Sequence, residues 1–435
     1  MNINKNKINE VYKLGKKVFP ICRSITGKGT VETLKEFKKF YKNLNIRKIK
    51  SGSKVFDWKV PPEWNIEDAF VIDKNNQKII DFKKNNLHIV NYSVPLKKKL
   101  NTVELLKNLY TNIFRPNAIP YVTSYYKKNW GFCVTEKFKQ EIKKKYKKDD
   151  IFKVVINSSL NSNGNLAYGE IFIPGKSKKE ILISSYVCHP SMANNELSGP
   201  MISLLIADYF KKIKNRYSLR IILIPETIGS IAYISKNLKK LKKNFLAGYN
   251  LSCVGDDRNY SYIPSKYKNA LCDRVIYKIC KKLKINFKEY SFLERGSDER
   301  QYNSPGIDLP VGCVMRTKFG EFPEYHTSDD NFDLVTKKGL RDSLKLILEC
   351  ISYLMESKFP VSTTKCEPFL SKRNLYPTIG NRQNNFTDNQ ELSHFLQYAD
   401  GQNNLEDISK LINLSYKKTF KISDVLKKNK LIRFI

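Results

Sequence analysis

Residues 181–200, ILISSYVCHPSMANNELSGP, restrict the folds open to this chain more than any other stretch. They begin with three consecutive apolar residues, Ile181, Leu182 and Ile183, and break into a loop carrying a histidine, amides and a carboxylate. From Gly199 they run into the apolar helix MISLLIADYF. A short apolar run bounded by turn signals reads as a strand buried on both faces. Strand, polar loop and helix make one unit of an open α/β sheet, whose ligands bind outside the carboxyl ends of the strands. His189 stands where such a sheet does its chemistry.

The same pattern recurs downstream. FKVVINSSL and LAYGEIFIPG read as a pair of strands, and LRIILIPE is a buried strand ending in Glu226. A helix over 228–241 leads to AGYNLSCVGDD, a strand ending in Asp256 and Asp257, and a helix over 270–283 follows. Next come the polar loop ERGSDERQYNSPG, the strand-like LPVGCVMR, the loop EFPEYHTSDDNFD and an amphipathic helix over 337–357. Alternating strands and helices predict an α/β domain built on a mixed sheet with helices on both faces.

The flanks differ in texture. Helices are expected over 11–19 and 31–44, joined by RSITGKGT, whose glycines mark a capped turn because the full phosphate-loop spacing is missing. Residues 51–137 read as an inserted β-rich module. It contains a hairpin over 73–80 turning at KNNQ, a strand in LHIVNYSVPL, and a short helix capped by Asn101 or Thr102. His88 reads as a structural histidine, and Trp58, Trp64, Tyr121, Tyr125, Tyr126 and Trp130 as core rather than lid. A linker begins after Pro360, and 370–435 have the rhythm of a winged helix: three helical patterns and a final strand. The α/β domain then comprises 1–50 and 138–360.

Composition excludes several classes. The formal charge of +36 points toward nucleic acid, but the lysines are dispersed along the whole chain, as on a solvated surface, and a nucleic-acid partner is not expected. Nine scattered cysteines without a CxxC pair indicate reduced thiols in the cytoplasm rather than a disulfide framework or zinc finger. No run of about 18 apolar residues predicts a membrane helix, and the N-terminus lacks the pattern of a secretory signal.

His189 with Asn194, Asn195 and Glu196, then Glu226, then Asp256 and Asp257, and finally His326 with Asp330 follow successive strands. Two of only four histidines lie in this set. Imidazoles and carboxylates gathered at strand ends suit zinc, which takes nitrogen and oxygen ligands and keeps a position open for catalytic water.

The order and wording of these segments resemble the co-catalytic zinc aminopeptidase and glutamate carboxypeptidase superfamily. Within it they resemble an aminopeptidase-like family with an inserted domain of unknown function and a winged-helix tail, often described with surface-polysaccharide biosynthesis. RSITG, VFDWKVPPEW, IPYVTSYY, CHPSMANNELSGP, VGDDR, GSDERQY and EYHTSDD carry the likeness over nearly the whole chain. It implies a hydrolase of peptide or amide bonds with one or two zinc ions, acting on a small peptide or aminoacyl substrate. It makes His189 a first metal ligand, Glu226 a ligand or general base, Asp256 or Asp257 a ligand, and His326 a ligand of the second metal. Asp330 would orient an imidazole, and Tyr325 lies beside His326 in the same motif.

Three positions depart from the peptidase pattern. Asn195 stands where an aspartate bridges two zincs, so Glu196 steps in as ligand, or one metal is weakly held, or none. Pro225 replaces the first of two glutamates, and Ser252 replaces an aspartate within its strand. Asp298, Glu299 and Arg300 bring new charge: Glu299 is an alternative base, and Arg300 suits a substrate carboxylate. A catalytically altered binding or assembly protein of the same fold is the alternative expectation.

Overall fold

The computed structural model describes residues 5–375 and 386–435, apart from the side chains of 386–389. The run at Ile181 lies within the strand Ser177–Tyr186, whose last seven residues are all buried. Ile181 and Ile183 share a core with helices Ser198–Phe210 and Lys337–Glu356, while Leu182 packs into a second core with helix Ile228–Asn244. Successive side chains point to opposite faces of a strand, so one covered on both faces is apolar at every position.

Tyr217–Ile224 and Phe245–Leu251 flank this strand in parallel, and Val311–Met315 runs parallel to Phe245–Leu251. The eight strands follow the order Asn45–Lys50, Asn165–Ile173, Tyr217–Ile224, Ser177–Tyr186, Phe245–Leu251, Val311–Met315, Ser261–Ile263, Lys288–Glu289. Antiparallel pairings of Asn165–Ile173 with both its neighbours and of Ser261–Ile263 with Val311–Met315 make the sheet mixed, with helices on both faces, as expected. The four parallel strands end on one side, and the loops after them gather there.

A smaller antiparallel sheet has the order Lys78–Asp81, Glu63–Ile72, Ile151–Asn161, Leu96–Asn101. The expected hairpin turn is closed by Asp73, whose Oδ1 accepts the N–H groups of Asn75 and Gln77 at 2.9 and 2.8 Å. Ile151–Asn161 comes from beyond residue 137. It does not pair with Asn165–Ile173, the strand expected beside it, because its inner half alternates exposed and buried while the latter is buried almost throughout. The two patterns suit different sheets. The strand expected in LHIVNYSVPL is instead a 3₁₀ turn, Asn86–His88, capped by Asn85, and Asn91 donates its side-chain amide to Arg23 O at 3.0 Å. His88 is structural, its Nδ1 2.8 Å from Cys133 O. In RSITGKGT, Asn65 Oδ1 accepts the Lys28 N–H at 2.7 Å and closes the start of helix Lys28–Phe40.

The C-terminal winged helix consists of Phe386–Gln397, Leu405–Leu411, Tyr416–Lys428 and the strand Ile432–Phe434. That strand pairs with Pro360–Ser362, so the start of the expected linker is part of the tail's own sheet. The tail docks on helices Leu271–Leu283 and Lys337–Glu356 through the Lys278–Glu406 ion pair and the Asn404 Nδ2 donation to Tyr353 Oη at 3.0 Å. No helix among the described residues is long and apolar enough to cross a membrane.

Gly199 sets how closely the helix after the His189 loop approaches the sheet. A Cβ there would lie 2.0 Å from Ser185 Oγ and 2.7 Å from Leu251 O. Gly199→Ala is expected to lower the unfolding free energy by about 1–3 kcal/mol, as overpacking does. An unchanged urea midpoint would show that the helix is not seated this closely.

Candidate functional site

His189 follows the strand Ser177–Tyr186 and is buried. Its backbone N–H and its Nδ1 both meet Glu196 Oε2, at 2.9 and 3.0 Å. A carboxylate only accepts, so in the neutral ring Nδ1 carries the proton and Nε2 presents its lone pair on the other side. That side faces Glu226, with Nε2 3.9 Å from Oε2. Burial alone would pull the His189 pKa down. The Glu196 hydrogen bond and charge, with the Glu226 charge, outweigh it and raise the value.

Glu196 reaches back to His189 because residues Ala193–Leu197 form one π-helical turn, a feature frequent at functional sites. Its Oε1 lies 3.3 Å from Arg23 Nε, and both side chains are wholly buried. Arg23 also donates Nε to His189 O at 2.9 Å and Nη1 to Val18 O at 2.6 Å. Sequence reasoning gave Arg23 no role; the only signal was its place in the RSITG motif.

His326 comes from the loop after Val311–Met315, with a positive φ of 54°. Its ring stacks on Tyr325 at 3.9 Å and lies 5.4 Å from the His189 ring. Tyr121 stands edge-on to both imidazoles, at 5.0 and 5.2 Å, and Tyr186 edge-on to His189 at 5.4 Å. Tyr121 belongs to the aromatic segment read as core, so its position beside the histidines was not foreseen. His326 Nε2 is buried without a hydrogen-bond partner, and burial, then the His189 charge, push this imidazole down to about 3.

The remaining acids are occupied. Asp330 does not orient an imidazole: its carboxylate accepts the backbone N–H groups of Ala193, Asn194 and Asn195, at 3.1, 2.6 and 2.9 Å, and pins the π turn. Burial raises its pKa to about 7 despite those bonds. Asp256 is not free to ligate, since it accepts from Asn194 Nδ2, Thr317 N, Thr317 Oγ1 and Arg258 N. Asp257 is exposed and takes a 3.3 Å bond from Thr336 Oγ1.

Glu299 is fully buried, accepting from Gly296 N, Ser297 N and Asn250 Nδ2, and is closed to a general-base role. Asp298 accepts from Thr227 N and Ser230 Oγ, at 2.8 and 2.7 Å; burial and the Glu226 charge raise its pKa to about 7. Arg300 donates to Thr227 Oγ1 at 2.6 Å. Glu196 is likewise a holder of His189 rather than a ligand.

Glu226 is therefore the open carboxylate of the set, with 23% of its side chain exposed. Burial raises its pKa, the His189 charge opposing. Asn195 donates Nδ2 to Tyr186 Oη at 2.9 Å, and its Oδ1 is buried without a partner. Among the described residues, the one group of three His, Cys, Asp or Glu residues whose donor atoms lie within 4.8 Å of one another is Cys188, His189 and Glu196. That side is closed by the Nδ1–Glu196 bond and by a thiol whose pKa burial drives well up. His189 Nε2, His326 Nε2, Glu226 and Asn195 Oδ1 make a nitrogen and oxygen donor set in which two atoms are buried and unpartnered. In donor type such a set suits one zinc-type cation, but among the described residues the ligand atoms of His189, His326 and Glu226 do not all close to within 4.8 Å of one another.

Breaking a buried ion pair from one side typically costs about 3–5 kcal/mol, and Arg23→Met is expected to destabilise the protein by that order in urea unfolding. Adding Glu196→Gln removes the stranded charge and should recover part of the loss; no recovery would show that the pair is not coupled.

Residues 12–357 match a family described as a domain of unknown function, DUF4910, and residues 358–434 a winged helix-turn-helix family. A Clostridium acetobutylicum protein is 42% identical over 427 residues, covering 98% of this chain and 96% of its own; it is provisionally named a polysaccharide biosynthesis protein with aminopeptidase-like domain. A crystal structure from C. acetobutylicum, provisionally termed a peptidase, superposes with a TM-score of 0.79 at 40% identity over 99% of this chain and 97% of that one. BSAP, a zinc aminopeptidase from Bacillus subtilis, shares the fold at 12% identity, with a TM-score of 0.62 over 84% of this chain and 97% of its own. The chain belongs to the DUF4910 family, an aminopeptidase-like α/β fold joined here to a C-terminal winged helix.

Proposed function

We propose that this protein is a metal-dependent hydrolase of peptide or amide bonds, acting on an amino-acid- or amino-sugar-bearing precursor in surface-polysaccharide biosynthesis. The observation that carries the reading is the pair of facing imidazoles. His189 Nε2 stands 3.9 Å from Glu226, and His326, its ring 5.4 Å away, keeps a buried Nε2 without a partner. The names given to the Clostridium acetobutylicum protein and crystal structure support the peptidase and polysaccharide parts. Nine unpaired cysteines support a reducing, cytoplasmic setting.

His189 and His326 would hold zinc, with Asn195 Oδ1 as a neutral donor, which leaves Glu226 as the base. Zinc in such a site supplies a Lewis acid that activates water at neutral pH. Glu226 takes the proton of the attacking water and returns it to the leaving nitrogen. Arg23 and Glu196 keep His189 in one orientation, and Tyr121, Tyr186 and Tyr325 exclude solvent around the imidazoles. An amide at Asn195 in place of a bridging aspartate supports one ion rather than two, because the negative charge that would screen a second cation is missing. The binding or assembly reading draws on the acids consumed in hydrogen bonds, which leave Glu226 without a second carboxylate to share its work.

Elemental analysis of the purified protein, with assays on aminoacyl anilides and amino-sugar amides, tests this. About one zinc per chain is expected, lost in His189→Ala, with Glu226→Gln lowering turnover about 10²–10⁴-fold. Metal without turnover on any amide moves the conclusion to the binding role. No metal retained after zinc loading and removal of the excess sinks the zinc mechanism.

A further inference from the structure

The amino-terminal ends of the parallel strands, opposite the His189 loops, carry a cavity of about 780 Å³. Ser177–Tyr186 spans ten residues, at about 3.3 Å each, so the two sites lie a full strand length apart. Four segments supply the cavity's cations: Lys176, Lys178 and Lys179 where that strand starts, Lys214 and Arg216 before Tyr217–Ile224, Lys243 at the end of helix Ile228–Asn244, and Arg433 from the wing strand. No aspartate or glutamate lines it.

Some lysines of this surface sit beside carboxylates, as in Lys17–Glu36, Lys74–Asp150 and Lys282–Glu349, and others, such as Lys97 and Lys99, stand dispersed on an exposed strand. Among the described residues, none of the cavity's cations has an ion-pair partner. Lys179 is drawn inward, its Nζ donating to Lys243 O at 3.1 Å, and burial and the Arg433 charge lower its pKa. Converging unpaired cations in a concave wall focus positive potential, and a polyvalent anion relieves their mutual repulsion. Met355 and Phe434 add apolar surface. The volume lies within the range of about 300–1,000 Å³ typical of small-molecule sites.

We propose that this cavity binds a small polyphosphate anion of nucleotide size, its phosphates on the lysines and arginines and its ring against Phe434. Lys and Arg both recognise phosphate through charge-assisted hydrogen bonds. The winged helix supplies Arg433 and Phe434, so the ligand bridges the tail and the α/β domain.

Calorimetric titration of the full chain with inorganic pyrophosphate and with adenosine diphosphate, at low salt, is the test. One saturable site is expected. Pyrophosphate affinity falls about tenfold or more in the double variant Lys214→Ala/Arg433→Ala and stays unchanged in the control Lys97→Ala/Lys99→Ala, on the exposed part of the small sheet. Adenosine diphosphate binds more tightly than pyrophosphate, and Phe434→Ala removes the difference. Equal, unsaturable binding to wild type and both double variants overturns the site. Equal affinities for the two ligands in wild type overturn the ring contact. Duplex DNA binding that falls in the cavity variant, with neither small anion bound, replaces this ligand class by nucleic acid.

Discussion

The His189 site hangs on a buried ion pair. Arg23 and Glu196 face each other at 3.3 Å with no solvent on either side chain. Two charges in that position carry a desolvation cost that their attraction offsets only when the remaining polar atoms are also satisfied. Here the backbone supplies much of that satisfaction: Val18 O and His189 O accept from Arg23, while the His189 N–H and imidazole donate to Glu196. The N-terminal loop, the histidine and the π turn thus behave as one unit. None of them can shift without stranding a charge.

The other buried acids follow the same logic. A buried carboxylate without donors is costly, and each acid around the site has found them in the loops: Asp330 in the π turn, Asp256 in Asn194 and Thr317, Asp298 at the start of helix Ile228–Asn244, Glu299 in Gly296 and Ser297. These groups tie loops down. His326 Nε2 and Asn195 Oδ1 are buried without a hydrogen-bond partner, as are Glu196 Oε1, Asp298 Oδ2 and Arg23 Nη2; of these, the imidazole nitrogen and the amide oxygen are the neutral donors left open.

The inserted segment completes the enclosure. Tyr121 N donates to His326 O at 2.8 Å, Ser328 N to Ile119 O at 2.8 Å, and Arg115 pairs with Asp329. These bonds stitch it to the loop that carries His326, dividing its aromatics by role. Tyr121 stands at the imidazoles, Trp64 stacks on Tyr92 in the core, and Trp58 meets Tyr126 at the surface.

Local pattern made much of this legible. The apolar run at Ile181, the acid-ended run before Glu226 and the helical periods between them specify the sheet, because burial on both faces leaves its signature at every position of a strand. The same pattern placed His189, Glu226 and His326 after their strands, and the capping signals placed the helix at Thr102–Lys107. Which acids remain open was not legible. Asp256 looks in sequence like a ligand, Glu299 like a base and Asp330 like the orienter of an imidazole, and only the fold shows their oxygens filled by N–H and O–H groups of the surrounding segments. Arg23 lies 166 residues before His189 and acts on it through a carbonyl, a contact without any local signal. Sequence by itself determined the elements and the chemistry they carry. Tertiary structure decided which polar atoms are spent and which are free, because hydrogen-bond satisfaction is settled between distant segments and not along the chain.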